Sequence, residues 1–230
     1  MSGKLYGVSV GPGAPDLLTL RAVRTIKAAD VIAYPCAEGL EPFARKIAAA
    51  HLKKKQLEIP MVMPMLASRF PAAEVYEAAA RAIRQHLAEG KNVAVLCEGD
   101  SLLYGSFMYL LERMRDVPCE IVPGVSSVFA VSAAAQFPLV SRNETLSLIS
   151  AVSDEETLTK KIKNADALAI FKVGKHFDRL KALLTSMNLA ETSVYVERAS
   201  LDKEIILPLT EAEGKAPYFS MILVRKAALT

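Results

Sequence analysis

Leu5 to Leu20 reads LYGVSVGPGAPDLLTL, and the fold follows from how this stretch divides. Leu5 to Val10 is a short, mostly apolar run, which predicts a buried strand. Gly11-Pro12-Gly13 ends it. Asp16 stands where a helix N-cap is expected, and Leu17, Leu20, Val23 and Ile26 are spaced for one helical face.

The same rhythm continues outward. Val31 to Tyr34 predicts a second strand, stopped by Pro35. Residues 42–50 predict a helix, and Leu57 to Ile59 a third strand, followed by a Met- and Pro-rich loop over residues 60–71. Residues 72–89 predict a long helix closed by Gly90. Asn92 to Cys97 predicts another buried strand, residues 103–115 a helix, Cys119 to Val122 a strand and residues 128–135 an Ala-rich helix. Strands alternating with helices predict an α/β sheet with helices on both faces. After Pro138 the rhythm changes. Strands are expected at 146–150, 167–171, 193–196, 204–207 and 219–224, with helices only at 154–163 and 177–187. The last strands follow one another directly, which predicts antiparallel pairing. The expected organisation is two α/β domains, residues 1–117 and 118–230.

Hydrophobic residues make up 52% of the 230 residues, Trp is absent and aromatic residues are 7%, so Ala, Val, Leu and Ile must fill the cores. The net charge of +3 comes without a basic stripe, which argues against a nucleic-acid partner. Lys53-Lys54-Lys55 reads as a solvated loop or helix end. Three cysteines, Cys36, Cys97 and Cys119, form no CxxC pair, so no disulfide framework is expected and a reducing cytoplasm is the natural compartment. The amino terminus lacks the apolar core of a signal peptide, and charges interrupt every apolar run before it reaches membrane-spanning length.

Much catalytic machinery is missing. His51, His86 and His176 lack metal-ligand spacing, and no metal site is expected. There is no nucleophile elbow and no P-loop. Gly11-Pro12-Gly13 lacks the third glycine of the dinucleotide fingerprint. What remains is three turns after predicted buried strands: Gly11-Pro12-Gly13, Glu98-Gly99-Asp100 and Pro123-Gly124-Val125-Ser126-Ser127. In an open α/β sheet, ligands lie outside the carboxyl ends of the strands. Any one of these turns alone would be an ordinary strand-to-helix connection. Three together predict a binding site.

Those residues carry a resemblance. LYGVSVGPGAPDLLTL (5–20) resembles the opening signature of the tetrapyrrole (corrin and porphyrin) methylases. CEGDSLLYG (97–105) resembles their GDPxxYG motif, with Ser101 in place of the usual proline. PGVSS (123–127) and PYFSMILVRK (217–226) are similar to later motifs, in the same order. Within the family the wording is most similar to precorrin-2 and cobalt-factor II carbon-20 methyltransferases of cobalamin (corrin ring) biosynthesis.

The resemblance implies a homodimeric enzyme of two α/β domains, with S-adenosylmethionine folded in the cleft between them and S-adenosylhomocysteine as product. Matched by motif, the cofactor would touch Pro12, Gly99, Asp100, Leu103, Ser126 and Ser127. By alignment of the later strands it would also touch Val173, Ala199, Ser220 and Met221. The implied partner is a precorrin-2 or cobalt-factor II macrocycle, and the first-motif wording leans to the cobalt form. The candidates near the chemistry are Asp100, as a base, as a stabiliser of positive charge on the macrocycle or as a turn-capping carboxylate, and Tyr218, as a substrate-orienting hydroxyl or a packing ring. Arg142, Lys172 and Arg198 are candidates for substrate carboxylates. The alternatives are a uroporphyrinogen methylase, an RNA ribose methylase or a diphthine synthase of the same family, a non-catalytic α/β ligand-binding module, and a flavodoxin-like binding protein.

Overall fold

The computed structural model describes residues 2–63 and 70–226. The chain divides into two compact units, Met1–Ser127 and Val128–Thr230.

The first unit is built on a five-stranded, all-parallel sheet: β1 (Leu5–Ser9), β2 (Val31–Ala37), β3 (Leu57–Met63), β4 (Val93–Cys97) and β5 (Cys119–Val122), in the order β3-β2-β4-β1-β5. Every residue of β4 is buried, as a parallel strand covered on both faces requires. Successive side chains point to opposite faces, so Val93, Val95 and Cys97 enter one core while Ala94 and Leu96 enter the other. Helices α3 (Phe70–Ala88) and α4 (Phe107–Arg113) cover the first face through Tyr76, Ile83, Phe107 and Leu110. Helices α1 (Leu20–Ala28) and α2 (Phe43–Ala48) cover the second through Ala22, Ile26, Ala44 and Ile47.

The structure departs from four local expectations. The first helix is capped by Thr19, whose hydroxyl accepts from the Ala22 amide at 3.1 Å, and not by Asp16, which lies in a 3-10 turn opened by Pro15. The later start turns Leu20 to solvent, where it is 77% exposed. β2 runs through Pro35 to Ala37. Its pairing to β4 ends at Ala33, so the missing N–H of Pro35 removes no bond on that side. α4 starts four residues later than Leu103, because Tyr104 is left-handed (φ 56°) and breaks the helical run. The loop expected over 60–71 begins as strand through Met63, and part of it lies outside the described residues.

The second unit carries β6 (Leu146–Ser150), β7 (Ala167–Phe171), β8 (Ser193–Glu197), β9 (Ile205–Pro208) and β10 (Ser220–Arg225) in the order β6-β7-β10-β8-β9. Only β6 and β7 run parallel; β10 inserts antiparallel between β7 and β8, and β9 pairs antiparallel to β8. Helices α6 (Glu155–Lys163) and α7 (Phe177–Ser186) pack on the face carrying Ile170, Ile222 and Val224. Helix α5 (Ser127–Ala134) packs Val128 and Val131 on the opposite face against Ala169, Val196 and Leu223. Buried Arg225 is held by the Glu144 carboxylate at 2.6 Å and by the carbonyls of Pro138 and Leu139.

The first compact unit runs through Ser127 and so includes β5. β5 pairs with β1 residue for residue from Leu5↔Cys119 to Val8↔Val122, which ties it to the first sheet.

Candidate functional site

The first unit gathers all three turns at the carboxyl end of its sheet. β1 and β4 are adjacent and parallel, so the segments that follow them emerge side by side. Val10 donates to the Cys97 carbonyl at 2.9 Å, and Gly11 and Gly99 then exchange backbone hydrogen bonds of 2.7 and 3.2 Å. This bridge requires both residues at positive φ, 81° for Gly11 and 62° for Gly99, which glycine adopts without steric cost. A Cβ on Gly99 would meet the Ser127 amide nitrogen at 4.0 Å, an ordinary van der Waals contact.

The third turn is pressed against the other two. A Cβ on Gly124 would lie 2.5 Å from the Ser9 Cβ and 2.8 Å from the Gly99 carbonyl oxygen. Only glycine permits that approach. Asp100 fastens the junction. One carboxylate oxygen accepts from the Leu102 amide at 3.0 Å, closing its own turn, and the other accepts from the Gly124 amide at 3.1 Å. Leu103 N–H closes on the Asp100 carbonyl at 3.3 Å. Pro12, Gly99, Asp100, Leu103, Ser126 and Ser127 therefore belong to one cluster of turns, with Ser126 buried and Leu103 37% exposed.

Two polar residues at this junction were not singled out by sequence reasoning. In sequence Ser9 is one position of a buried strand. Its hydroxyl accepts from the Ser101 amide at 2.9 Å and shares a second bond of 2.8 Å with the Ser101 hydroxyl; both residues are fully buried. The available signal is a serine in an otherwise apolar, buried strand, because a buried hydroxyl needs a partner. In sequence Glu98 is only the first residue of its turn. Burial pushes its carboxyl above the usual range, against the pull of a hydrogen bond from the Ala44 amide.

The second unit collects most of the other expected residues at one end of its own sheet, with Arg142 at the opposite end. β10 begins where β7 and β8 end, with Met221 opposite Phe171 and Val196, and Ser220 opposite Glu197. Val173, Ala199, Ser220 and Met221 thus lie near one another at that end, with Val173 and Met221 buried. Lys172 (φ 59°) and Arg198 (φ 50°) sit there in left-handed conformation, and Arg198 pairs with Glu197 at 2.8 Å. Arg142, also left-handed (φ 47°), lies in the turn before β6. Tyr218 is 77% exposed and meets the Phe219 ring edge-on with centroids 5.1 Å apart.

The chemistry open to these residues is limited. Burial pushes the thiols of Cys36, Cys97 and Cys119 all upward, so none is set up as a thiolate nucleophile. Among the described residues no three of His, Cys, Asp and Glu come together as a metal site. What the first unit offers is positioned backbone amides and carbonyls beside small side chains. That set suits a small polar ligand bearing carboxylate and amino groups.

The fold and the turn cluster are those of a methylase of the tetrapyrrole type: the chain belongs to the family of tetrapyrrole (corrin/porphyrin) methylases, whose pattern matches residues 4–213. It is 35% identical to the precorrin-2 C(20)-methyltransferase of Sinorhizobium sp, covering 96% of this chain and 95% of that one. It is 34% identical to the cobalt-precorrin-2 C(20)-methyltransferase of Salmonella typhimurium, covering 98% of both. The fold is also that of the Thermus thermophilus uroporphyrin-III C-methyl transferase complexed with S-adenosylhomocysteine. There the TM-score is 0.67 at 22% identity, with 97% of this chain and 98% of that one covered. Among the described residues no helix is long and apolar enough to cross a membrane.

Proposed function

We propose that the protein is an S-adenosylmethionine-dependent C-methyltransferase that methylates carbon-20 of a precorrin-2-type macrocycle, metal-free or carrying cobalt, in cobalamin biosynthesis. The observation that carries the reading is the junction of three turns, with Gly11 bridged to Gly99 and Asp100 bonded to the Gly124 amide. Relatives named for this reaction match over nearly the whole chain, which supports the same reading.

When bound, S-adenosylmethionine supplies an electrophilic methyl group on a sulfonium. The work left to the protein is positioning, because in-line displacement at such a carbon needs alignment more than activation. In this reading Pro12, Gly99, Asp100, Leu103, Ser126 and Ser127 hold the donor, and Val173, Ala199, Ser220 and Met221 are the second-unit candidates for the same task. The two backbone bonds accepted by the Asp100 carboxylate support a positioning role for it, in which it keeps the turns in register. The exposed ring of Tyr218, and Lys172 and Arg198 at the same sheet end, are the candidates to orient the macrocycle and its carboxylates. A water suffices to accept the proton that leaves the meso carbon after transfer.

The test is incubation with S-adenosylmethionine and either precorrin-2 or its cobalt complex, followed by mass measurement. The expected result is a gain of one methyl group, located at carbon-20. Tight binding of S-adenosylhomocysteine with no methyl gain on either macrocycle would instead make the chain a non-catalytic ligand-binding module.

A further inference from the structure

Ser9 sits at the centre of the junction although no part of it reaches solvent. It is the last residue of β1 and points to the face covered by α4. Its oxygen takes the Ser101 N–H at 2.9 Å, and the two hydroxyls share a bond of 2.8 Å. Its Cβ is also what a Cβ on Gly124 would strike first, at 2.5 Å. One small side chain therefore touches the second turn through two hydrogen bonds and the third turn through direct packing.

The GDPxxYG motif carries proline where this chain has Ser101. Proline fixes φ by its ring but has no N–H to give. Here the turn is held differently: the Ser101 N–H is present and spent on Ser9, and a second bond doubles the tie. With both residues at 0% exposure, water cannot replace either partner. Ser9 is thus useful only while Ser101 has its N–H and hydroxyl, and the reverse holds equally.

We propose that Ser9 and Ser101 form a coupled positioning pair that holds the Gly99–Asp100 turn in its cofactor-binding geometry. The pair replaces the rigidity of a proline ring by two hydrogen bonds anchored in β1. This rests on the reading of the three turns as the S-adenosylmethionine site. Neither residue touches the reacting atoms; both act through the backbone of Gly99 and Asp100.

The test is a double-mutant cycle on the whole chain, read by calorimetric binding of S-adenosylhomocysteine and by the KM for S-adenosylmethionine against kcat. Ser9→Ala and Ser101→Pro are each expected to weaken binding about tenfold, because each strands a buried polar group. KM should rise with kcat within about twofold, a split that general loss of folded protein does not give. Ser9→Ala combined with Ser101→Pro removes donor and acceptor together and is expected to return affinity to within about threefold of the wild type. Losses that multiply in the combined variant, or wild-type affinity in both single variants, would overturn the pair. If one single variant fails to fold, the combined variant still decides: recovery of folding and binding supports the coupling, and continued failure refutes it. Wild-type protein that binds no S-adenosylhomocysteine would overturn the cofactor reading itself, an outcome distinct from uncoupled mutants.

Discussion

Asp100 gives the most direct test of how the turns hold together. Its two oxygens accept the Leu102 amide at 3.0 Å and the Gly124 amide at 3.1 Å. Asp100→Ala removes both bonds. Leu102 is exposed, so its amide returns to water and the loss there is about 0.5–1 kcal/mol. The Gly124 amide is part-buried and bonded to a charged acceptor, so that loss is about 1.5–2 kcal/mol. The junction is then less stable by about 2–3 kcal/mol, roughly a 30- to 150-fold loss in S-adenosylhomocysteine affinity at 1.4 kcal/mol per decade. Asp100→Asn keeps one acceptor oxygen but loses the charge, and is expected to fall between the two, about tenfold below wild type. Calorimetric titration of the three proteins measures the series, with urea unfolding to confirm that each is folded. Wild-type affinity in Asp100→Ala together with a collapse of kcat would refute the reasoning, because it would place the carboxylate on the substrate and not on the turn.

Gly124→Ala puts a methyl group 2.5 Å from the Ser9 Cβ and 2.8 Å from the Gly99 carbonyl, and backbone must move to admit it. Overpacking of this kind costs about 1–3 kcal/mol, so scanning calorimetry should show Tm lowered by roughly 3–10 °C; an unchanged Tm would mean that the turns are not in contact. Glu98 supplies a pH dependence. Burial raises its folded pKa above the unfolded value, so the stability of the neutral acid is full below the ordinary carboxylate range and is lost as pH rises through the raised value. Glu98→Gln escapes that loss. Its Tm should exceed that of the wild type at about pH 8, with the two converging near about pH 4, and a gap constant with pH would sink the argument.

How much of this was legible beforehand can be argued from single positions. Val93 to Cys97 announced a strand buried on both faces, because an unbroken apolar run bounded by Asn92 and Glu98 has no solvent face. The antiparallel character of the last strands followed from their close succession without helices. Asp16 misled, because Pro15 opens a 3-10 turn and the Thr19 hydroxyl, not the Asp16 carboxylate, meets the amide of the helix that forms. The start of α4 is not legible in sequence because Leu102, Leu103 and Tyr104 suit a helical face as well as a turn, and the left-handed Tyr104 is set by the turn that Asp100 closes. The sheet to which β5 belongs is not local either: Cys119 to Val122 reads equally well as the first strand of one sheet or the last of another, and pairing with β1 decides it.

The sequence by itself determined the alternating strands and helices, the three glycine turns and the family, since periodicity, turn residues and motif wording are properties of neighbours along the chain. Tertiary structure alone decided that the three turns are one junction. Ser9 and Ser101 are separated by 92 positions, as are no two members of a local motif, and their bond exists only because β1 and β4 are adjacent in the sheet. It also decided the part played by Ser101. In the motif that residue is a departure from proline; in the fold its N–H is the group that Ser9 holds, and the turn keeps its shape through a neighbouring strand.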